Sequence, residues 1–172
     1  MAELKSVELY LKLIEKIDQY EAKLLEKYSS DIACRRGCDS CCILESVFPV
    51  EAYIICEAVR SGEVEPECTF NNGGKCVFLK NGGCSIYKVR PVICRTHGYP
   101  VFVEGRVDFC PENFKGRSSI DSEYILNLEN LNMTLVSINR IFADENNNDF
   151  FKRERIPLKE VAECIINKMK PD

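Results

Sequence analysis

Eleven cysteines, at positions 34, 38, 41, 42, 56, 68, 76, 84, 94, 110 and 164, are the residues of this 172-residue chain whose type and spacing best suit chemistry. Thiolates are soft anionic metal ligands and redox groups. The first four stand as Cys34-x3-Cys38-x2-Cys41-Cys42. In a helical or tightly looped segment, neighbours three and four apart point the same way, and three convergent thiolates repel one another unless a cation or a cluster neutralises them. Zinc takes four tetrahedral sulfur or nitrogen ligands, and a [4Fe–4S] cluster is held by thiolates, usually four. A fourth ligand must therefore come from farther along the chain. Cys76, Cys84 and Cys94 are candidates, and Cys110, in DFCPENF, sits where a hairpin returns towards them. With a single histidine, a Cys2His2 zinc site is excluded. Adjacent side chains diverge in extended backbone, so Cys41 and Cys42 seldom serve one ion. Cys42 either faces a second site, packs as a small apolar group, or joins Cys41 in a strained vicinal disulfide. Eight cysteines in two groups suit two four-thiolate sites, or one larger site with spare thiols. Cys56, Cys68 and Cys164 read as buried small apolar residues.

A second constellation spans residues 84–98, CSIYKVRPVICRTHG. Four thiolates on a dication leave a net charge of −2, and donors from Arg90 and Arg95, which bracket Cys94, would offset it at the cofactor; the alternative is that both arginines pair with carboxylates. His97 is a ligand, a proton carrier or a structural donor, and Tyr87 reads as a core aromatic. Cys38 and Cys41 also form a C-x-x-C pair able to cycle as a thiol redox module, although no thioredoxin-like βαβ pattern surrounds them. The C-x3-C-x2-C spacing is shared with radical SAM enzymes, but no apolar strand precedes it here.

These groups need a scaffold. Apolar residues make up 45% and charged residues 29% of the chain, as in an ordinary globular domain. The net charge of −4 argues against nucleic acid as a partner. No apolar run approaches the roughly 20 residues of a membrane span, and the N-terminal residues, mixed in acids and lysines, do not read as a secretory signal. Clustered thiols without export signals point to the cytoplasm and to metal binding rather than disulfides. Three- and four-residue apolar spacing predicts a helix over 4–28, with Leu4, Val7, Leu11, Ile14, Ile17, Leu24 and Tyr28 on its stripe. A second helix runs from Val50 to Arg60 after Pro49 and closes at Ser61–Gly62. Residues 61–86 read as loop, 101–109 as a short hairpin turning near Glu104–Gly105, and 118–142 as a helix capped among Ser118, Ser119, Asp121 and Ser122. Its stripe is Tyr124, Leu128, Leu131, Leu135, Ile138, Ile141 and Phe142. A last helix over about 158–169 buries Val161, Ile165 and Met169.

CRRGCDSCC at 34–42, CVFL at 76–79, CSIYKVRP at 84–91 and CR at 94–95 together resemble the YkgJ-like cysteine-cluster family, with its CxxCxxCC signature and zinc- or iron-chelating character. The resemblance covers residues 34–110; the first spacing here is C-x3-C, and CVFL stands where C-P-F-L is usual. It implies a ligand set drawn from Cys34, Cys38, Cys41, Cys42, Cys76, Cys84, Cys94 and Cys110, holding an iron–sulfur cluster (4Fe–4S) or zinc. Cysteine clusters of flagellin lysine methylases are related, so by analogy an iron–sulfur enzyme of redox or SAM-linked methyl-transfer type is the alternative function. The expectation is a mainly α single domain over 1–172: a loop-rich cysteine-cluster core at 34–110, one short β-hairpin, and flanking amphipathic helices at 1–30 and 118–169. Neither nucleic acid nor membrane is expected as a partner.

Overall fold

A computed structural model describes residues 4–35 and 37–168. The fold is mainly α, a single compact domain in which helices frame short strands and loops. Helix α1 (Lys5–Tyr28) matches the predicted span and buries Ser6, Tyr10, Ile17, Leu24 and Tyr28. Leu11, expected on the apolar stripe, is instead 51% exposed, and its neighbour Tyr10 points inward. Helix α2 (Pro49–Arg60) begins on its proline, whose missing N–H costs nothing in a first turn. Val50, Ala52 and Ile55 of α2 are fully buried.

The stretch read as loop between 61 and 86 contains a second hairpin. Strands β2 (Leu79–Lys80) and β3 (Gly83–Cys84) pair antiparallel across Asn81 and Gly82, both at positive φ. Asn-Gly is the pair that this tight turn favours. After Pro91 comes the short helix α3 (Val92–Thr96), which carries Cys94. The predicted hairpin is present as β4 (Val101–Val103) and β5 (Arg106–Asp108).

The helix predicted from 118 starts ten residues later, as α4 (Leu128–Glu145). Before it, Leu126–Asn127 (β6) is drawn into parallel pairing with β4, which holds the backbone extended. The Asn127 side chain then accepts the Asn130 N–H at 2.8 Å and caps the helix. Leu131, Leu135, Ile138 and Phe142 face the core as expected, whereas Tyr124 lies in a preceding 3-10 turn with its ring edge-on to Tyr28. Ser46–Val47 (β1) pairs antiparallel with Ile156–Pro157 (β7), anchoring α5 (Leu158–Lys168). Val161 and Ile165 are buried; Met169 lies outside the described residues.

One core joins α1, α2, α4 and α5, with Tyr10, Ile55, Phe78, Phe142 and Val161 at its centre. A smaller cluster of Leu24, Tyr28, Tyr99 and Phe114 closes the far end of α1. The cysteine-bearing loops lie against α1 and α2 and are tied to them by buried polar bonds. Arg95 donates to Asp18 of α1 at 2.5 Å. Arg90 reaches Glu21 of α1 at 3.2 Å. Glu51, 3% exposed, accepts the Val92 N–H at 2.9 Å and the Phe48 N–H at 3.0 Å, joining the starts of α3 and α2.

Candidate metal centre

The first cysteine loop is folded by tight turns. Cys38 N–H donates to the Arg35 carbonyl, Cys42 N–H to Asp39, and Ile43 N–H to Cys41. It docks on the β2–β3 turn through Gly37 N–H, which donates to the Gly82 carbonyl at 3.0 Å. The backbones approach so closely that a Cβ on Gly82 would lie 3.2 Å from the Gly37 Cα. Lys75 clamps the same loop by donating to the Asp39 carbonyl at 2.7 Å.

Around this scaffold the expected ligands make two sets of contacts. Cys34 and Cys110 meet at Gly98: a Cβ there would stand 3.3 Å from both the Cys34 Sγ and the Cys110 Cβ. Cys110 N–H donates to the Gly98 carbonyl. Burial pushes the Cys34 thiol up, the Asn113 amide pulls it down, and charge on Cys110, Cys38 and Cys41 raises it again. In the second set, Cys76 N–H donates to the Cys42 carbonyl at 2.8 Å. Cys84 lies in β3, paired with Leu79 three residues beyond Cys76. Cys94 faces them from α3: burial pushes its thiol up to about 12, and Cys76, Cys84, Glu51 and Cys42 add to the rise. Cys42 is pushed up to about 11, again first by burial and then by Cys41, Cys84 and Cys76.

Cys34, Cys38, Cys41, Cys42, Cys84 and Cys94 line one cleft of about 1100 Å³. Cys94 touches solvent through the cleft mouth yet is surrounded by protein atoms, so its sulfur is both accessible and poorly solvated. Among the described residues, no three or more His, Cys, Asp or Glu side chains are arranged to hold an ion as they stand. The chemistry of the donors nonetheless suits one. At neutral pH the raised thiols keep their protons, and a cation is what would favour their thiolates. Two sulfurs already accept backbone amides: Phe78 N–H donates to Cys76, and Ile86 N–H donates to Cys84. Such bonds favour the anionic ligand.

Arg90 and Arg95 both line the cleft, but their guanidinium groups are committed elsewhere. Besides Asp18, Arg95 donates to the carbonyls of Arg90 and Lys88. Arg90 bonds Glu21 and the Tyr87 carbonyl and lies 4.0 Å over the Tyr87 ring; its charge lowers the Cys84 thiol from nearby. Tyr87 is thus an exposed cover for Arg90 rather than a core aromatic. His97 stands exposed on the cleft wall. Cys56, Cys68 and Cys164 are half-buried; Cys56 and Cys68 pack on the core, and Cys68 lies near enough to Cys76 to be raised by it.

The side chain that does reach a sulfur is Asn113, 1% exposed and unmarked in the sequence. Its Oδ1 accepts the Ala33 N–H at 2.8 Å, and its Nδ2 donates to the Gly98 carbonyl at 2.7 Å and to the Cys34 Sγ at 3.6 Å. Its only sequence signal was a place three residues after Cys110, at the hairpin exit.

The model of the CxxCxxCC family, described as "Putative zinc- or iron-chelating domain", matches residues 33–111. The cysteine-bearing segment is similar to that family. Its span holds all eight expected ligands, from the turn before Cys34 to the residue after Cys110. An uncharacterised protein of the archaeon Methanocaldococcus jannaschii is 39% identical over 64 residues, covering 30% of this chain and 35% of its own length. The match thus spans about a third of that relative. No solved structure matches the chain. The family description and the eleven cysteines together support metal binding.

Proposed function

We propose that residues 34–110 hold an iron–sulfur cluster or zinc in all-cysteine coordination, and that the chain is a cytoplasmic metalloprotein whose metal is structural or passes electrons. One observation carries this reading: six of these cysteines, Cys34, Cys38, Cys41, Cys42, Cys84 and Cys94, drawn from three separate stretches of chain, line one cleft, and backbone amides point at the sulfurs of Cys84 and of neighbouring Cys76. The metal would supply the positive charge that lets buried thiols ionise together. The protein's part is to fix the loops through Gly37–Gly82, Lys75–Asp39 and Glu51–Val92, to offset charge with amide donors, and to keep bulk water from the deeper sulfurs. Four thiolates suit both iron and zinc, and the arginines, being engaged with carboxylates, do not favour iron.

The test is metal analysis with a visible spectrum of protein purified without oxygen. A brown sample with iron and sulfide identifies a cluster, and a colourless one with stoichiometric zinc identifies zinc. Protein that carries neither and whose thiols all react at once with an alkylating agent refutes the reading.

The open cleft favours a second reading, an iron–sulfur enzyme. Cys34, Cys41 and Cys94 are exposed to it and His97 stands on its wall. An open coordination position is the mark of catalysis. Under this reading His97→Ala removes activity and leaves metal content unchanged.

A further inference from the structure

We infer that a second copy of this chain docks on the open edge of β5, the two β5 strands pairing antiparallel about a two-fold axis at Val107 so that their three-stranded sheets join into one. None of the β4–β5 residues lines the cysteine cleft, so the inference stands apart from the metal reading.

The sheet runs β5-β4-β6, and among the described residues no strand pairs with the outer side of β5. The hairpin turn has two residues, Glu104 and Gly105, at φ 50° and 79°. In such a hairpin the pair flanking the turn exchanges both backbone bonds, and bonded and non-bonded pairs then alternate. Val103 with Arg106 and Val101 with Asp108 are therefore the bonded pairs, and Phe102 with Val107 is the non-bonded one. This aims the N–H and C=O of Val107 away from β4, at the open edge. An unpaired edge is a template for another strand.

The strand that fits this edge is β5 itself. It reads Arg106-Val107-Asp108, and all three residues are exposed. Laid antiparallel on the second copy with Val107 against Val107, each Arg106 stands opposite the other chain's Asp108, and the two Val107 residues exchange N–H···O=C bonds. Shifting the register by two residues would set Arg106 against Arg106 and Glu104 against Asp108, or Asp108 against Asp108, so charge selects the centred register. Among the described residues neither Arg106 nor Asp108 has an ion-pair partner within the chain. Asp108 accepts its neighbour Phe109 N–H through one carboxylate oxygen, at 3.0 Å, and the other faces no donor. On one face of the hairpin Phe102, 41% exposed, lies across from Val107, 39% exposed. Joined to its copy, that pair becomes a continuous apolar row of Phe102, Val107, Val107 and Phe102 across the seam. Three residues a side bury less than the roughly 1,200 Å² at which stable interfaces begin, so the dimer is weak and reversible.

The test uses the full chain, purified without oxygen and held in reductant so that its cysteines form no disulfide between chains. Sedimentation is followed up to about 1 mM protein, the range of weak association. A reversible monomer–dimer equilibrium is expected. Arg106→Asp and Asp108→Arg should each weaken it about tenfold or more, because each sets like charges opposite one another at both crossings. An equimolar mixture of the two variants should regain association, since one chain then offers two acids where the other offers two bases; a merely misfolded variant would not be rescued in this way. Two wild-type measurements need no variant to fold: the sedimentation itself, and hydrogen exchange by NMR. In the latter the Val107 N–H should slow as concentration rises, while the Arg106 and Asp108 amides, bonded within the hairpin, stay protected throughout. A monomer at every concentration, a dimer indifferent to both substitutions, or a dimer whose Val107 amide exchanges as freely as in the monomer overturns the inference.

Discussion

Asn113 shows how a site residue escapes sequence reading. Arginine is the strong donor near a cysteine, so the sequence singles out Arg90 and Arg95 to offset sulfur charge. The donors found are an asparagine amide and the peptide N–H groups of Phe78 and Ile86, none of which leaves a mark in composition or spacing. The cysteines themselves were legible, since ligands must be of a fixed chemical type. Asn113→Ala leaves the Ala33 N–H and the Gly98 carbonyl without their partner, and an unpaired buried group costs about 1–3 kcal/mol. The variant should unfold at correspondingly lower urea and leave the Cys34 thiol faster to alkylate than in the wild type. Gly98→Ala should do the same by another route: the left-handed backbone strains any side chain by roughly 1–2 kcal/mol, and the added methyl would press on Cys34 and Cys110. Wild-type alkylation rates and stability in both variants would contradict these roles.

At the scale of elements, the long helices were readable because many apolar residues repeat at one period. α1 and α2 came within a residue of their observed limits. Two-residue strands carry no period, so β1, β2, β3, β6 and β7 were invisible, and with β6 went the true start of α4. Four capping oxygens at 118–122 were a plausible beginning; strand pairing at Leu126–Asn127 overrode them. Glu51 joins two of these elements. Glu51→Leu should free the Val92 and Phe48 amides and lower stability by about 1–3 kcal/mol for each, measured by urea denaturation. Because α3 carries Cys94, the loss should be larger in the metal-loaded protein than in the metal-free one. An equal loss in both would mean that Glu51 supports the core alone.

For the molecule as a whole, two opposite responses to pH follow. In the metal-free chain Cys42 and Cys94 have folded-state values near 11 and 12, above the ordinary thiol range. Raised values mean that the neutral thiols favour folding. That stability is complete below about pH 9 and is lost as pH rises towards the folded values, so the urea midpoint should fall on the alkaline side. In the loaded protein the ligands are thiolates, and acid competes for them, so the midpoint should fall on the acid side. Removing the metal by chelation should cost stability on the order of 10 kcal/mol if the centre is structural zinc. Hydrogen exchange should then quicken first in 34–110 while α1 and α4 stay protected; uniform exchange before and after would show the metal to be peripheral.

The bonds from Arg90 and Arg95 into α1 set the smallest piece that can stand alone. The family segment begins at 33, whereas Asp18 and Glu21 precede it and Asn113 follows it. A clone trimmed to 33–111 would strand two guanidinium groups against apolar neighbours and drop the amide that braces Cys34. Such a fragment should come out of cells insoluble even when metal is plentiful, and adding back residues 4–32 together with 112–117 restores every one of those partners.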